Sequence, residues 1–331
     1  MDDEASQPDN GTDDAPDSVI RVGGLCKSYG RTIALTDVGF SVHTGEIFGY
    51  LGPNGAGKTT TISILCGLIR RDAGEVRICG GDIALDPVAI KQQIGVVPEE
   101  SNLYPELTCR RNLEYLGELY GLSRASKQTK AAELLEEFDL ADKAEAPFRA
   151  LSRGMKRRLT VAAAFVHSPP VVFLDEPTAG LDVPSARALR ALIRTTNRNG
   201  ATVFLTTHNL MEAESLCDRI LILAKGRVVA EGAAAAIRQR VAEAQTISLV
   251  LSADVTAESF RKACPAVKTP VLADGRWVLD VSDVHEATMQ VTAFAEANGL
   301  RILEIDSGGA SLEDAFMTIL DAHAAEPEMG R

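Results

Sequence analysis

The chain has 331 residues, 45% hydrophobic and 24% charged, a globular balance and a length that suits two folded units better than one. No apolar run approaches the ~20 residues that a membrane-spanning helix needs, so no crossing of a bilayer is predicted. A formal net charge of -12 lacks the basic stripe that polyphosphate backbones demand, which argues against nucleic acid as a partner.

Residues 1–18 carry seven Asp or Glu and no Lys or Arg, and are expected to form a disordered acidic tail. There is no basic-then-apolar leader, and the six cysteines form no CxxC pair, so a reducing cytoplasm is the expected setting. From Val19 the runs VIRVGGLCKSYG, IALTDVGFSV and EIFGYLG read as strands, the last ending in a glycine-rich loop. Helical spacing follows from Lys58 to Leu68, then a short hairpin in EVRICGGDI and a strand in IGVVPE. Between Thr108 and Leu140, apolar Leu113, Leu116, Leu119 and Tyr120, then Leu134, Leu135 and Phe138, recur at three- and four-residue spacing and predict two amphipathic helices. Another helix is predicted after Ser152, and VVFLD, ATVFLTT and RILILA supply β-branched runs separated by helices. That alternation predicts an α/β fold with a largely parallel, helix-covered sheet.

After Gly232, AAAAIRQRVAEA reads as a connecting helix over 233–244. Residues 245–322 then follow the order βαββαβ, a small α+β domain of the split-βαβ, ferredoxin-like kind, with an Asp-Gly turn between its middle strands. The helix SLEDAFMTIL ends it, and 323–331 is expected to be a flexible tail.

The sharpest chemical signal is GPNGAGKTT: Gly52, Pro53, Asn54, Gly55, Ala56, Gly57, Lys58, Thr59 and Thr60 satisfy G-x-x-x-x-G-K-[ST] between a strand and a helix. Such a loop turns backbone N–H groups toward phosphates, its lysine reaches the β- and γ-phosphates, and Thr59 offers a hydroxyl to Mg²⁺. VVFLDE is an apolar strand ending in two carboxylates, which suits Asp175 to a Mg²⁺ shell and Glu176 to an attacking water. In LSRGM (Leu151, Ser152, Arg153, Gly154, Met155), Ser152 is a plausible N-cap that leaves backbone N–H groups aimed at an anion. Alone, these are a tight turn, a polar strand end and a routine cap. In this order they read as one ATP site split into two halves. The Ser152 half is not expected to fold back onto its own phosphate loop, which predicts a dimer.

With these motifs the chain resembles a nucleotide-binding subunit of the ABC superfamily over 19–232. The resemblance implies a P-loop NTPase cassette: a RecA-like core, a β-subdomain, and a helical subdomain over about 100–168. Gly52 to Thr60 would then be Walker A, Val171 to Asp175 Walker B, Glu176 the catalytic carboxylate and His208 the switch histidine. Ala179 to Asp182 would be the D-loop, Tyr29 the adenine-stacking aromatic, and Leu151 to Met155 the signature LSGGQ that contacts ATP from the opposite subunit. ATP and Mg²⁺ are the implied cofactors. A second copy of the chain and a multi-spanning permease are the implied partners, at the cytoplasmic face of the cell membrane. Two departures stand out. Glu99 replaces the Q-loop Gln that would face Mg²⁺, and Arg153 and Met155 replace Gly and Gln, as in the drug, sodium and polysaccharide exporter branch, which the tail SLEDAFM also resembles. The alternative, a soluble ABC-type ATPase acting on ribosomes or DNA, usually brings two cassettes or a long inserted coiled coil, and neither is present in this sequence.

Overall fold

The computed structural model describes residues 18–241, 245–273, 275–306 and 311–325. Most of the expected acidic tail, the end of the connecting segment, Asp274 of the Asp-Gly turn and residues 326–331 of the expected flexible tail lie outside them.

Strands β1 (Ser18–Tyr29) and β2 (Thr32–His43) form a long hairpin, and β3 (Ile47–Leu51) runs into the glycine-rich loop and helix α1 (Lys58–Leu65). Next come β4 (Ala73–Ile78), β5 (Gly81–Asp82), α2 (Pro87–Lys91) and β6 (Ile94–Val97). Helices α3 (Cys109–Leu119), α4 (Arg124–Glu137) and α5 (Arg153–Ala164) build the helical part, and Thr108, Ser123 and Ser152 each cap one by accepting a backbone N–H. The chain continues with β7 (Val171–Asp175), α6 (Val183–Arg198), β8 (Thr202–Thr207), α7 (Leu210–Leu216), β9 (Arg219–Ala224), β10 (Arg227–Gly232) and α8 (Ala234–Val241).

Two sheets result. One is antiparallel, in the order β2-β1-β4-β5; the other has the order β10-β9-β3-β8-β7-β6, parallel except for the β10 edge. Strand parity explains why the central runs are apolar throughout. Phe48, Tyr50, Phe173 and Phe204 point toward the antiparallel sheet and meet Phe40 in one aromatic core, while Val172, Leu174, Val203 and Leu205 point the other way, toward the helices. A strand buried on both faces keeps a polar residue where it finds a partner, as Thr206 and Thr207 of β8 do.

The expected amphipathic faces of α3 and α4 are seen in Leu113, Leu134, Leu135 and Phe138, all buried. Leu119 departs from that expectation at 64% exposure, and Tyr120 stacks on His167 at 3.6 Å instead of entering the core. Both fall where α3 ends, so the helical period no longer fixes their direction.

The C-terminal unit comprises β11 (Gln245–Leu251), α9 (Ala257–Ala263), β12 (Val267–Ala273), β13 (Arg276–Val281), α10 (Val284–Ala297) and β14 (Ile302–Asp306), with sheet order β12-β13-β11-β14. It has its own core around Phe260, Trp277 and Phe294. Helix α11 (Leu312–Ala325), grouped with this unit by sequence order, lies instead on the cassette. Its Leu312 and Ala315 are buried with Leu51, Ala213, Ile222 and Ile237.

Candidate active site

The order β3-β8-β7-β6 sets four parallel strands side by side, and their carboxyl ends deliver the glycine-rich loop, His208, the Asp175–Glu176 pair and Glu99 to one edge. The loop leaves β3 at buried Gly52 and enters α1 through Gly57, whose φ of +112° is a backbone setting that side chains rarely tolerate. A Cβ there would also strike Leu35 and the Ala34 carbonyl. Pro53, Asn54, Gly55 and Thr59 are exposed, Ala56 is buried, and Gly57 and Thr60 lie between. This turn puts the first N–H groups of an eight-residue helix at the loop mouth, which favours an anion.

Lys58 is buried. Its Nζ donates to Gly52 O at 2.7 Å and Pro53 O at 3.3 Å and lies 3.9 Å from Glu176 Oε1. Burial lowers its pKa, opposed by the charges of Glu176, Asp175 and Glu99, so all three carboxylates act on this ammonium. Asp175 accepts a hydrogen bond from the Thr206 hydroxyl. Glu176 has a φ of +45°, unusual for a residue with a side chain, and its N–H donates to Thr206 O at 3.1 Å. Its Oε2 lies 2.9 Å from His208 Nδ1, so Lys58, Glu176 and His208 share one carboxyl group.

Leu151 to Met155 lie at the start of α5. Leu151 is buried, exposed Ser152 accepts the Met155 N–H at 3.3 Å, and a Cβ on Gly180 or Gly154 would strike Arg153 or Ser185 respectively. They therefore pack on the D-loop segment, where Asp182 caps α6 by accepting the Ser185 N–H at 2.7 Å. None of the described hydrogen bonds or ion pairs joins Leu151 to Met155 with Gly52 to Thr60. Tyr29, half exposed near the tip of the β1–β2 hairpin, lies beneath Lys27 Nζ at 5.5 Å.

Three residues here escaped motif reading. Thr206 holds both Asp175 and Glu176. Arg157 is buried behind the strand ends, and Glu212 is buried against Thr207, whose hydroxyl donates to it at 2.7 Å. Helical spacing carries a signal for the last two, since Arg157 and Glu212 fall on the faces that bury Thr160 with Val161 and Ala213 with Leu216.

Burial raises the Glu212 pKa above its ordinary value near 4.5, against hydrogen bonds from Thr207 and Thr178 that lower it. The fold therefore favours the neutral carboxyl. That contribution is fully present below the ordinary value and is lost as pH rises through the raised folded value. Glu212→Gln is expected to raise the melting temperature by about 2–4 °C at neutral pH and to flatten its dependence on pH above 4.5. Calorimetry from pH 4 to 8 checks it, and an unchanged profile would mean that Glu212 titrates normally.

The family model described as ABC transporter matches residues 35–179. The linearmycin resistance ATP-binding protein LnrL of Bacillus subtilis is 34% identical over 306 residues, covering 91% of this chain and 98% of that protein. This chain belongs to the ATP-binding proteins of ABC transporters.

Within that family, the Nod factor export ATP-binding protein I of Ralstonia nicotianae is 42% identical over 214 residues, covering 65% of this chain and 67% of that protein. Among solved structures, the dimeric post-hydrolysis state of the ATP-binding cassette MJ0796 bound to ADP and Pi aligns with a TM-score of 0.59 at 28% identity. The alignment covers 65% of this chain and 98% of that one. The fold is that of the ABC ATPase cassettes, and the chain is an ATP-binding ATPase of this family.

Proposed function

We propose that this ATPase powers export through a separate multi-spanning permease at the cytoplasmic face of the membrane, by closing head to tail with a second copy around ATP. The convergence of Lys58 and His208 on the Glu176 carboxyl carries the catalytic part of the reading. A carboxylate beside a phosphate loop suits a base that orients water, and His208 suits a group that holds that carboxylate and the γ-phosphate in register. The N-terminal end of α5, opened by exposed Ser152, suits an anion and is assigned in this reading to a second copy's ATP. Export is supported by LnrL and the Nod factor protein, whose names state resistance and export. Among the described residues no helix is long and apolar enough to cross a membrane.

The residues present fit Mg²⁺ bound through nucleotide. Among the described residues no group of three or more His, Cys, Asp or Glu is placed to hold a metal alone. Mg²⁺ commonly takes one or two carboxylates and completes its shell with phosphate oxygens and waters. Thr59, Asp175 and Glu99 would hold it, and its charge would offset that developing on the phosphates. Glu99 adds negative charge where the family usually has an amide. Glu99→Gln is therefore expected to strengthen ATP binding by about 1 kcal/mol, about fivefold, without loss of fold. Titration with a fluorescent ATP analogue checks it, and equal affinities would make the Glu99 charge neutral in effect.

The function is tested by purifying the tagged chain from native membranes and assaying ATP turnover with and without the recovered partner. A multi-spanning partner that alters Lys58-dependent turnover supports the proposal. Hydrolysis accompanied only by ribosomes or DNA overturns the transport reading.

A further inference from the structure

Arg157 is 8% exposed, and its guanidinium donates to five backbone carbonyls. Nε reaches Pro177 O at 2.8 Å; Nη1 reaches Pro98 O at 2.6 Å and Glu99 O at 3.0 Å; Nη2 reaches Asp175 O at 2.7 Å and Glu176 O at 3.1 Å. A guanidinium has five N–H donors, so every one is used. Burial lowers the pKa of this cation, and the charges of Asp175, Glu212, Glu99 and Glu176 oppose that shift. The fork therefore spans two separate segments, 98–99 and 175–177, which end neighbouring strands and carry the carboxylates of the site. One turn further along α5, the Thr160 hydroxyl donates to Ser101 Oγ at 2.8 Å and ties the first segment again. The same helix opens at Ser152 and Arg153 on the signature face.

We propose that Arg157 is a positioning residue: it joins α5, the Glu99 segment and the Glu176 strand end into one body, so that a displacement at Glu99 or at Ser152 reaches the Glu176 carboxyl through the backbone. This rests on the reading of Glu176 as the base. Glu176 keeps its left-handed backbone because its N–H is held by Thr206 and its C=O accepts from both Arg157 and the Ala179 N–H. Without the fork the C=O keeps only the local Ala179 bond and loses its tie to α5 and the Glu99 segment, and the carboxylate is less firmly placed beside His208. All five Arg157 donors are taken by backbone carbonyls, so its loss is expected to act on turnover and not on nucleotide affinity.

Lysine at 157 keeps the charge but has three donors on one nitrogen and cannot span both segments. In steady-state assays Arg157→Lys is expected to lower kcat about 10- to 100-fold while ATP affinity stays within about twofold, since small misplacements of a catalytic group have effects of this size. In a Glu176→Gln background the same change is expected to cost almost nothing further, because the group it positions is already gone. Thr160→Val removes the Ser101 tie together with the hydroxyl's contact with Lys156 O inside α5, leaves Arg157 in place and guards against misfolding of the lysine variant; a roughly threefold loss in kcat at unchanged affinity is expected. An equal loss with and without Glu176, a loss that only tracks the folded fraction, or unchanged turnover in both variants overturns the proposal. Parent turnover that does not depend on Lys58 overturns the ATPase reading itself, and this proposal with it.

Discussion

Glu176→Gln is expected to lower ATP turnover by about 10²-fold or more, some 2.7 kcal/mol of barrier, while ATP binding is kept. The amide has nearly the shape of the carboxyl and can still meet His208 Nδ1, which lies 2.9 Å from Oε2. What it loses is the charge that draws a proton from water. In the proposed closure of two subunits around ATP, binding needs the phosphates and not the base, so the variant should accumulate as an ATP-bound dimer. Single-turnover hydrolysis and light scattering in ATP check both halves of the result. Turnover within twofold of the parent would remove Glu176 from the role of base, whatever happens to the dimer.

Lys58→Ala is expected to weaken ATP binding by about 10²-fold or more and to take hydrolysis to background, since truncating one partner of a buried charge contact costs about 2–5 kcal/mol. The lysine is buried, held to the carbonyls of Gly52 and Pro53 and flanked by Glu176. Its removal leaves the negative charge of Asp175, Glu176 and Glu99 less compensated just where a polyphosphate must come to rest. Calorimetric titration with ATP checks the affinity. Because α1 and the loop glycines remain, the melting temperature without nucleotide should change little compared with the loss of binding. Retained affinity would mean that the loop from Gly52 to Thr60 does not carry the phosphates.

Much of the site could be read from order along the chain. The phosphate loop is a local device: its glycines, its lysine and the start of the helix that follows lie within nine residues, so the motif contains its own geometry. The Asp175–Glu176 pair at the end of VVFLD is local in the same sense, and the apolar runs of β3, β7, β8 and β9 announce strands buried on both faces. The cap at Ser152 was also legible, because N-caps depend on a few neighbouring residues.

Adjacency was not. Nothing local places β8 between β3 and β7, yet that order brings the Thr206 hydroxyl to Asp175 and His208 to Glu176 across about thirty residues of chain. Nor does the arginine-rich run KRR reveal that Arg157 turns inward to five carbonyls while Arg158 turns outward to Asp139. Local sequence fixes backbone conformation and which face is apolar, because those depend on sterics and on the period of a helix or strand. The tertiary structure decides which ends meet, because strand pairing and buried polar satisfaction are settled only among residues far apart in the chain. The sequence therefore determined the family, the phosphate loop and the carboxylate pair of this protein, and the packed sheet decided which residues hold that pair in place.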